Sequence, residues 1–161
     1  MNGVLDVNSP RDMLNKLRFE IQQLIGSANS YATINALRDA YHLREWTWHH
    51  RLERDSDLQA AVIGRTPIQE NEWNGWVNSE FPRFQIIREL CNGSKHFKPG
   101  SAIKQTYQEG WDNAYYDISY YDDNRFYVVD ISNNVIDVER MLRDVEAFWN
   151  QLFLQYPQLA A

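Results

Sequence analysis

The apolar period of this chain changes twice along its length, and that change limits the folds open to it. Up to Cys91 the hydrophobic residues recur at helical spacing. Between Ala102 and Ser132 they alternate, and from Ile136 the helical spacing returns. One backbone cannot satisfy both periods, because side chains repeat about every 3.6 residues on a helix and every 2 on a strand. The fold class that follows is mainly α (α+β). It is a helical bundle of about four main helices with a three-stranded antiparallel β-meander inserted before the last helix.

The local signals place the elements. Ser9 is a cap, Pro10 suits the first helical position, and Met13, Leu14, Leu17, Ile21, Leu24 and Ile25 recur at helical spacing, with Gly26 as the stop. A longer helix is expected from Tyr31 to Glu53, with Ile34, Leu37, Tyr41, Trp48 and Leu52 on one side. Asp57 to Ile63 reads as a short helix ended by Gly64. Thr66-Pro67 reads as a possible cap and first-turn proline, and Trp73, Gly75 and Trp76 as a packed connector. A helix near Pro82 carries Phe84, Ile87, Leu90 and Cys91; Asn92-Gly93 is either its stop or a break inside a longer helix. The strands are expected at Ala102 to Glu109, Tyr115 to Asp122 and Arg125 to Ser132, and the last helix at Ile136 to Gln155.

With 161 residues the chain suits one domain, residues 1–161, with no internal repeat. A net charge of -6 disfavours a whole-domain electrostatic grip on nucleic acid and leaves a local basic patch open. Cys91 is the sole cysteine, which excludes an internal disulfide and a cysteine-cluster zinc site and suits a reducing cytoplasm. No apolar run is long enough to span a membrane and no signal segment opens the sequence, so a cytoplasmic protein is expected.

Two clusters can carry chemistry. In the first, Arg38, His42, Glu45 and His49 are spaced by four, three and four. This puts them on one helical stripe beside the apolar one, at the expected edge of a cleft. The second is Arg88-Glu89-Leu90-Cys91-Asn92-Gly93-Ser94-Lys95-His96. If the helix continues, Gln85, Glu89, Asn92 and His96 share its polar face; if Gly93 breaks it, Lys95 and His96 are presented from a turn. A histidine can move a proton near neutral pH, a neighbouring Lys or Arg can stabilise an oxyanion, and Asn can orient either. Such a set can cleave RNA without a metal, the 2′-OH serving as nucleophile. His42, Glu45, His49 and His96 can alternatively be read as a divalent-metal set. Each cluster also has a structural reading: Glu45–His49 is an ordinary helix pair, and Lys95, His96 and Lys98 complement a helix end.

Cys91-Asn92-Gly93-Ser94-Lys95-His96-Phe97, downstream of Tyr41-His42-Leu43-Arg44-Glu45-Trp46, resembles the HEPN superfamily in its uncharacterised bacterial and mobile-element branch. The resemblance implies a helical bundle, often dimeric. It implies either a metal-independent ribonuclease of toxin–antitoxin and phage-defence systems or an inactive RNA- or protein-binding relative. It carries over His96, Asn92 and Arg88 as site residues, with Lys95 in support. The gap from Arg88 to His96 is longer than in the superfamily's motif, and Cys91, not arginine, precedes Asn92. The expectation is thus a HEPN-like domain with RNA or a protein as partner, a homodimer, and no cofactor. The rival expectations are a non-catalytic interaction module and a small metal-binding bundle.

Overall fold

The computed structural model describes residues 5–25, 29–96, 100–109 and 125–161, with residues 95, 96 and 109 described by backbone alone. Six α-helices and a three-stranded antiparallel sheet make up the described residues, and the sheet precedes the last helix. The first helix, α1 (Pro10–Leu24), begins as its sequence requires. The Ser9 hydroxyl accepts the Asp12 N–H at 3.2 Å, while Asp12 Oδ2 receives the Asn8 N–H at 3.0 Å and the Ser9 hydroxyl at 2.9 Å. Met13, Leu14, Leu17, Ile21 and Leu24 are buried along one face, whereas Ile25, expected with them, caps the helix end and is exposed.

Helix α2 (Ser30–His50) is capped by Asn29, whose side chain accepts the N–H groups of Tyr31 and Ala32. It stops three residues before the expected Glu53, and a 3-10 turn, Leu52–Arg54, follows. Asp55 accounts for the stop: its carboxylate accepts the Leu58 N–H at 2.9 Å and opens α3 (Ser56–Ile63). Gly64, at φ 85°, ends α3 in the left-handed region that glycine adopts without a Cβ penalty.

The segment expected to be a connector is helical. Helix α4 (Glu70–Glu80) contains Trp73, Gly75 and Trp76. Pro67 does not open it; Gln69 is the cap, and Glu72 reaches back to the Gln69 N–H at 2.7 Å. Burial of Trp73 and Val77 outweighs the weak helix preference of Asn and Gly around them. Helix α5 (Phe84–His96) runs through Asn92-Gly93 without a break.

Strands β1 (Ile103–Glu109) and β2 (Arg125–Asp130) pair with Tyr107 opposite Tyr127. The expected strand at 115–122 lies outside the described residues. The third strand seen is β3 (Val135–Asp137), paired to β2 with Ile136 opposite Val128. It occupies the position from which the last helix was expected to start. The β2 strand ends at Asp130 rather than Ser132. The Asp130 carboxylate accepts the N–H groups of Ser132 and Asn134 at 2.8 and 2.9 Å, and Asn133 sits at φ 62°. That turn sends the chain back as β3. Asp137 then caps α6 (Val138–Gln155), accepting the Arg140 N–H at 3.2 Å.

Helix α2 is the hub: α1, α4, α5 and α6 all pack on it, and the sheet lies against α6. One hydrophobic core joins these layers, with Trp73, Phe84, Trp149 and Phe153 among its fully buried side chains. No helix among the described residues is long and apolar enough to cross a membrane.

Candidate functional site on the α2–α5 face

Both sequence clusters fall on one helix pair, α2 against α5. Tyr41 and Phe84 stack with ring centres 6.4 Å apart, while Leu37 and Leu90 line the same cavity of about 200 Å³ nearer the sheet. Residue numbers therefore rise along α2 as they fall along α5, and the two helices are antiparallel. This direction separates the two histidines expected to meet. His42 lies five residues beyond Leu37, and His96 lies six beyond Leu90 in the opposite sense. At 1.5 Å per residue their backbones are offset by roughly 16 Å along the pair. The common hollow expected for His42 and His96 needs the His96 side chain, which lies outside the described residues.

The α2 stripe is solvated rather than set at a cleft edge. Arg38, His42 and His49 are exposed and Glu45 is half-buried. His42 Nδ1 is 3.0 Å from Glu45 Oε2 and the His42 ring meets the Tyr41 ring edge-on at 5.5 Å. His49 is engaged elsewhere, with Nδ1 3.4 Å from Glu53 and Nε2 3.8 Å from Glu70 at the start of α4. The metal set His42, Glu45, His49 and His96 is accordingly split. Its α2 members hold two separate pairings, and the His96 backbone lies turns away. No group of three metal-ligating side chains comes together among the described residues.

On α5, continuity through Gly93 puts Arg88, Asn92 and the His96 backbone one turn apart along a stripe. Arg88 and Asn92 are exposed. The side chains of Lys95 and His96 lie outside the described residues. Glu89, expected beside Asn92 on the polar face, turns inward instead. It is buried, and its Oε2 accepts the Ala102 N–H at 2.7 Å, fastening α5 to the start of the sheet.

The residue that sequence reasoning passed over is Arg44. It is only 5% exposed. Its guanidinium carbon lies 5.2 Å from the centre of the Tyr41 ring and 5.0 Å from that of Phe84. Its backbone carbonyl accepts the indole N–H of Trp73 at 3.0 Å, which seats this turn of α2 against α4. Burial pushes the Arg44 pKa down; the Tyr41 side chain and Glu45 counter that, and the positive Arg88 adds to the depression. The Nε–H has no hydrogen-bond acceptor among the described residues. The only sequence signal was a cation inside the apolar stripe of α2, flanked by Leu43 and Thr47.

Chemically the face joins a buried guanidinium, walled by the Tyr41 and Phe84 rings, to the exposed Arg88 and Asn92 of α5. No family model, curated protein or solved structure matches the chain. The reading of the site therefore rests on its residues.

Proposed function

We propose that this chain is a HEPN-like domain that acts on or binds RNA, in a bacterial defence, toxin–antitoxin or mobile-element setting. The reading is carried by one observation: α5 continues through Asn92-Gly93, so Arg88, Asn92 and His96 stand at successive turns of one stripe. In this reading His96 moves the proton, Asn92 orients it or the scissile phosphate, and Arg88 with Lys95 offsets phosphate charge. His42, paired with Glu45 on the exposed side, is in this reading a supporting contact to RNA.

The test is incubation of the purified chain with total RNA beside His96→Ala and Arg88→Ala. Cleavage by the parent, abolished in His96→Ala and weakened in Arg88→Ala, is expected. RNA left equally intact by all three proteins ends the enzymatic claim, and absence of RNA binding at low salt ends the RNA reading.

A second reading, a non-catalytic homodimeric interaction module, is favoured by exposed apolar side chains on α1, just after it and at the start of α2. Phe19 is 58%, Ile25 48% and Tyr31 84% exposed. Light scattering separates the readings: a stable dimer without RNA affinity supports the module.

A further inference from the structure

Folded cores pack at crystal-like density and leave few voids larger than a water molecule. An exception in this fold is the cavity of about 200 Å³ between α2, α5 and the sheet. Leu37, Val128 and Val138 line it from three different elements and are buried. Ile34, Leu90 and Phe126 also line it and are only half-buried. Apolar walls from four elements thus surround a volume that core packing has not closed.

The chemistry of the walls restricts what can enter. None of the described lining side chains carries a charge, and the polar ones are hydroxyls. Thr33 is buried, and its Oγ1 donates to the Asn29 carbonyl at 2.7 Å. Ser30 and Thr106 are exposed, which puts their hydroxyls on the open side. A charged ligand would give up its hydration here without gaining a counter-charge, whereas a neutral one gives up little.

Size restricts the occupant further. An apolar cavity of about 150 Å³ is enough to take benzene, and sites for drug-sized ligands run to about 300–1,000 Å³. The cavity of about 200 Å³ falls between the two, which suits a single ring bearing one small substituent.

We propose that this cavity binds one small neutral ring compound, its ring against Leu37, Val128 and Val138 and any polar substituent toward the exposed Ser30 and Thr106. The site uses none of Arg88, Asn92 and His96, and it goes beyond the RNA reading without resting on it.

The experiment follows the methyl signals of Leu37 and Val138 in the full chain by NMR while benzene, phenol or benzoate is added. Saturable shifts are expected with benzene and phenol. Benzoate, with the same ring and a charge, should bind at least about tenfold more weakly than phenol. Leu90→Trp fills the cavity from α5 and should weaken phenol binding about tenfold or more, with the rest of the spectrum reporting a folded protein. Ile34→Phe fills it from α2 and carries the same expectation, so the test stands if one of the two variants does not fold. Arg140→Gln, on α6 and outside the cavity lining, should leave binding unchanged.

No saturable shift of Leu37 or Val138 with benzene or phenol, as for a cavity that the chain itself fills, overturns the proposal. Phenol affinity in the folded filling variants equal to the parent's overturns it as well, and so does benzoate bound as tightly as phenol. None of the probes is a nucleotide, so failure here leaves the RNA reading standing, and failure of the RNA assays leaves this site standing.

Discussion

The carboxylate of Glu89 on α5 accepts the backbone N–H of Ala102 at 2.7 Å, in a position where Glu89 is buried. Gly100 lies directly beneath it, and a Cβ there would meet the Glu89 side chain. The helix that bears Arg88 and Asn92 is thus pinned to the sheet by the residue between them.

Glu89→Ala should destabilise the fold by about 1–3 kcal/mol, because the Ala102 N–H loses its acceptor in a part-buried place. Gly100→Ala should cost about 1–3 kcal/mol by overpacking against a carboxylate that cannot move without breaking that bond. Denaturant unfolding of the two single variants and the double variant checks both. The penalties should fall short of adding, since one contact is shared.

Trp73 joins α4 to α2 through its 3.0 Å bond to the Arg44 carbonyl. Trp73→Phe should lower stability by roughly 1–3 kcal/mol, from the lost indole hydrogen bond and the smaller ring. Helix content by circular dichroism should stay unchanged while the denaturant midpoint falls. A midpoint equal to the parent's would show that the Trp73 contact does not hold α4 to α2.

Lys16 and Asp39 tie α1 to α2. Burial opposes the Lys16 charge, but hydrogen bonding and the charges of Asp39 and Glu20 outweigh it and hold its pKa above the ordinary 10.5. A base raised in the folded state stabilises below its unfolded pKa and loses that contribution as pH climbs through the folded value. Stability should therefore decline above pH 10.5. Lys16→Met should flatten that decline and cost about 1–3 kcal/mol at neutral pH, because Asp39 is left buried without its partner. Asp39 itself is pushed up by burial against the pull of Lys16, so it adds nothing to acid lability.

Acid lability should come instead from turn and cap carboxylates. The Asn134 side chain and backbone hold the Asp130 pKa below 3.8, and the Asn8 backbone with the Ser9 hydroxyl does the same for Asp12. A lowered acid stabilises above its unfolded pKa, and the contribution disappears as pH falls from about that value through the folded one. Thermal melts should weaken below pH 3.8, and Asp130→Asn should show a shallower fall. Parallel acid profiles for the parent and variant would exclude the turn as a source.

Much of the fold was legible because its signals are local. Ser9-Pro10 opens α1, Gly64 closes α3, and the wide apolar face of α6 from Val138 to Phe153 needs no partner to be recognised. Where the reading failed, the deciding energy was not local. Trp73 and Trp76 sit among Asn and Gly, and only burial makes that stretch α4. Strand β3 is three residues long, too short for a period, and it exists because the Asp130–Asn134 turn folds it onto β2.

The candidate site divides along the same line. From the chain alone came the spacing of Arg88, Asn92 and His96, the common stripe of His42, Glu45 and His49, and the class of mainly helical fold with a small sheet, since each depends on neighbours within a turn or on a change of period. The expected Glu45–His49 pair is replaced in the fold by Glu45 with His42 and His49 with Glu53. Tertiary packing decided that α2 and α5 run antiparallel, and that Arg44 lies buried against Tyr41 and Phe84. Which charge is buried, and which two groups meet across helices, depends on the direction of a distant segment, and no local spacing encodes that direction.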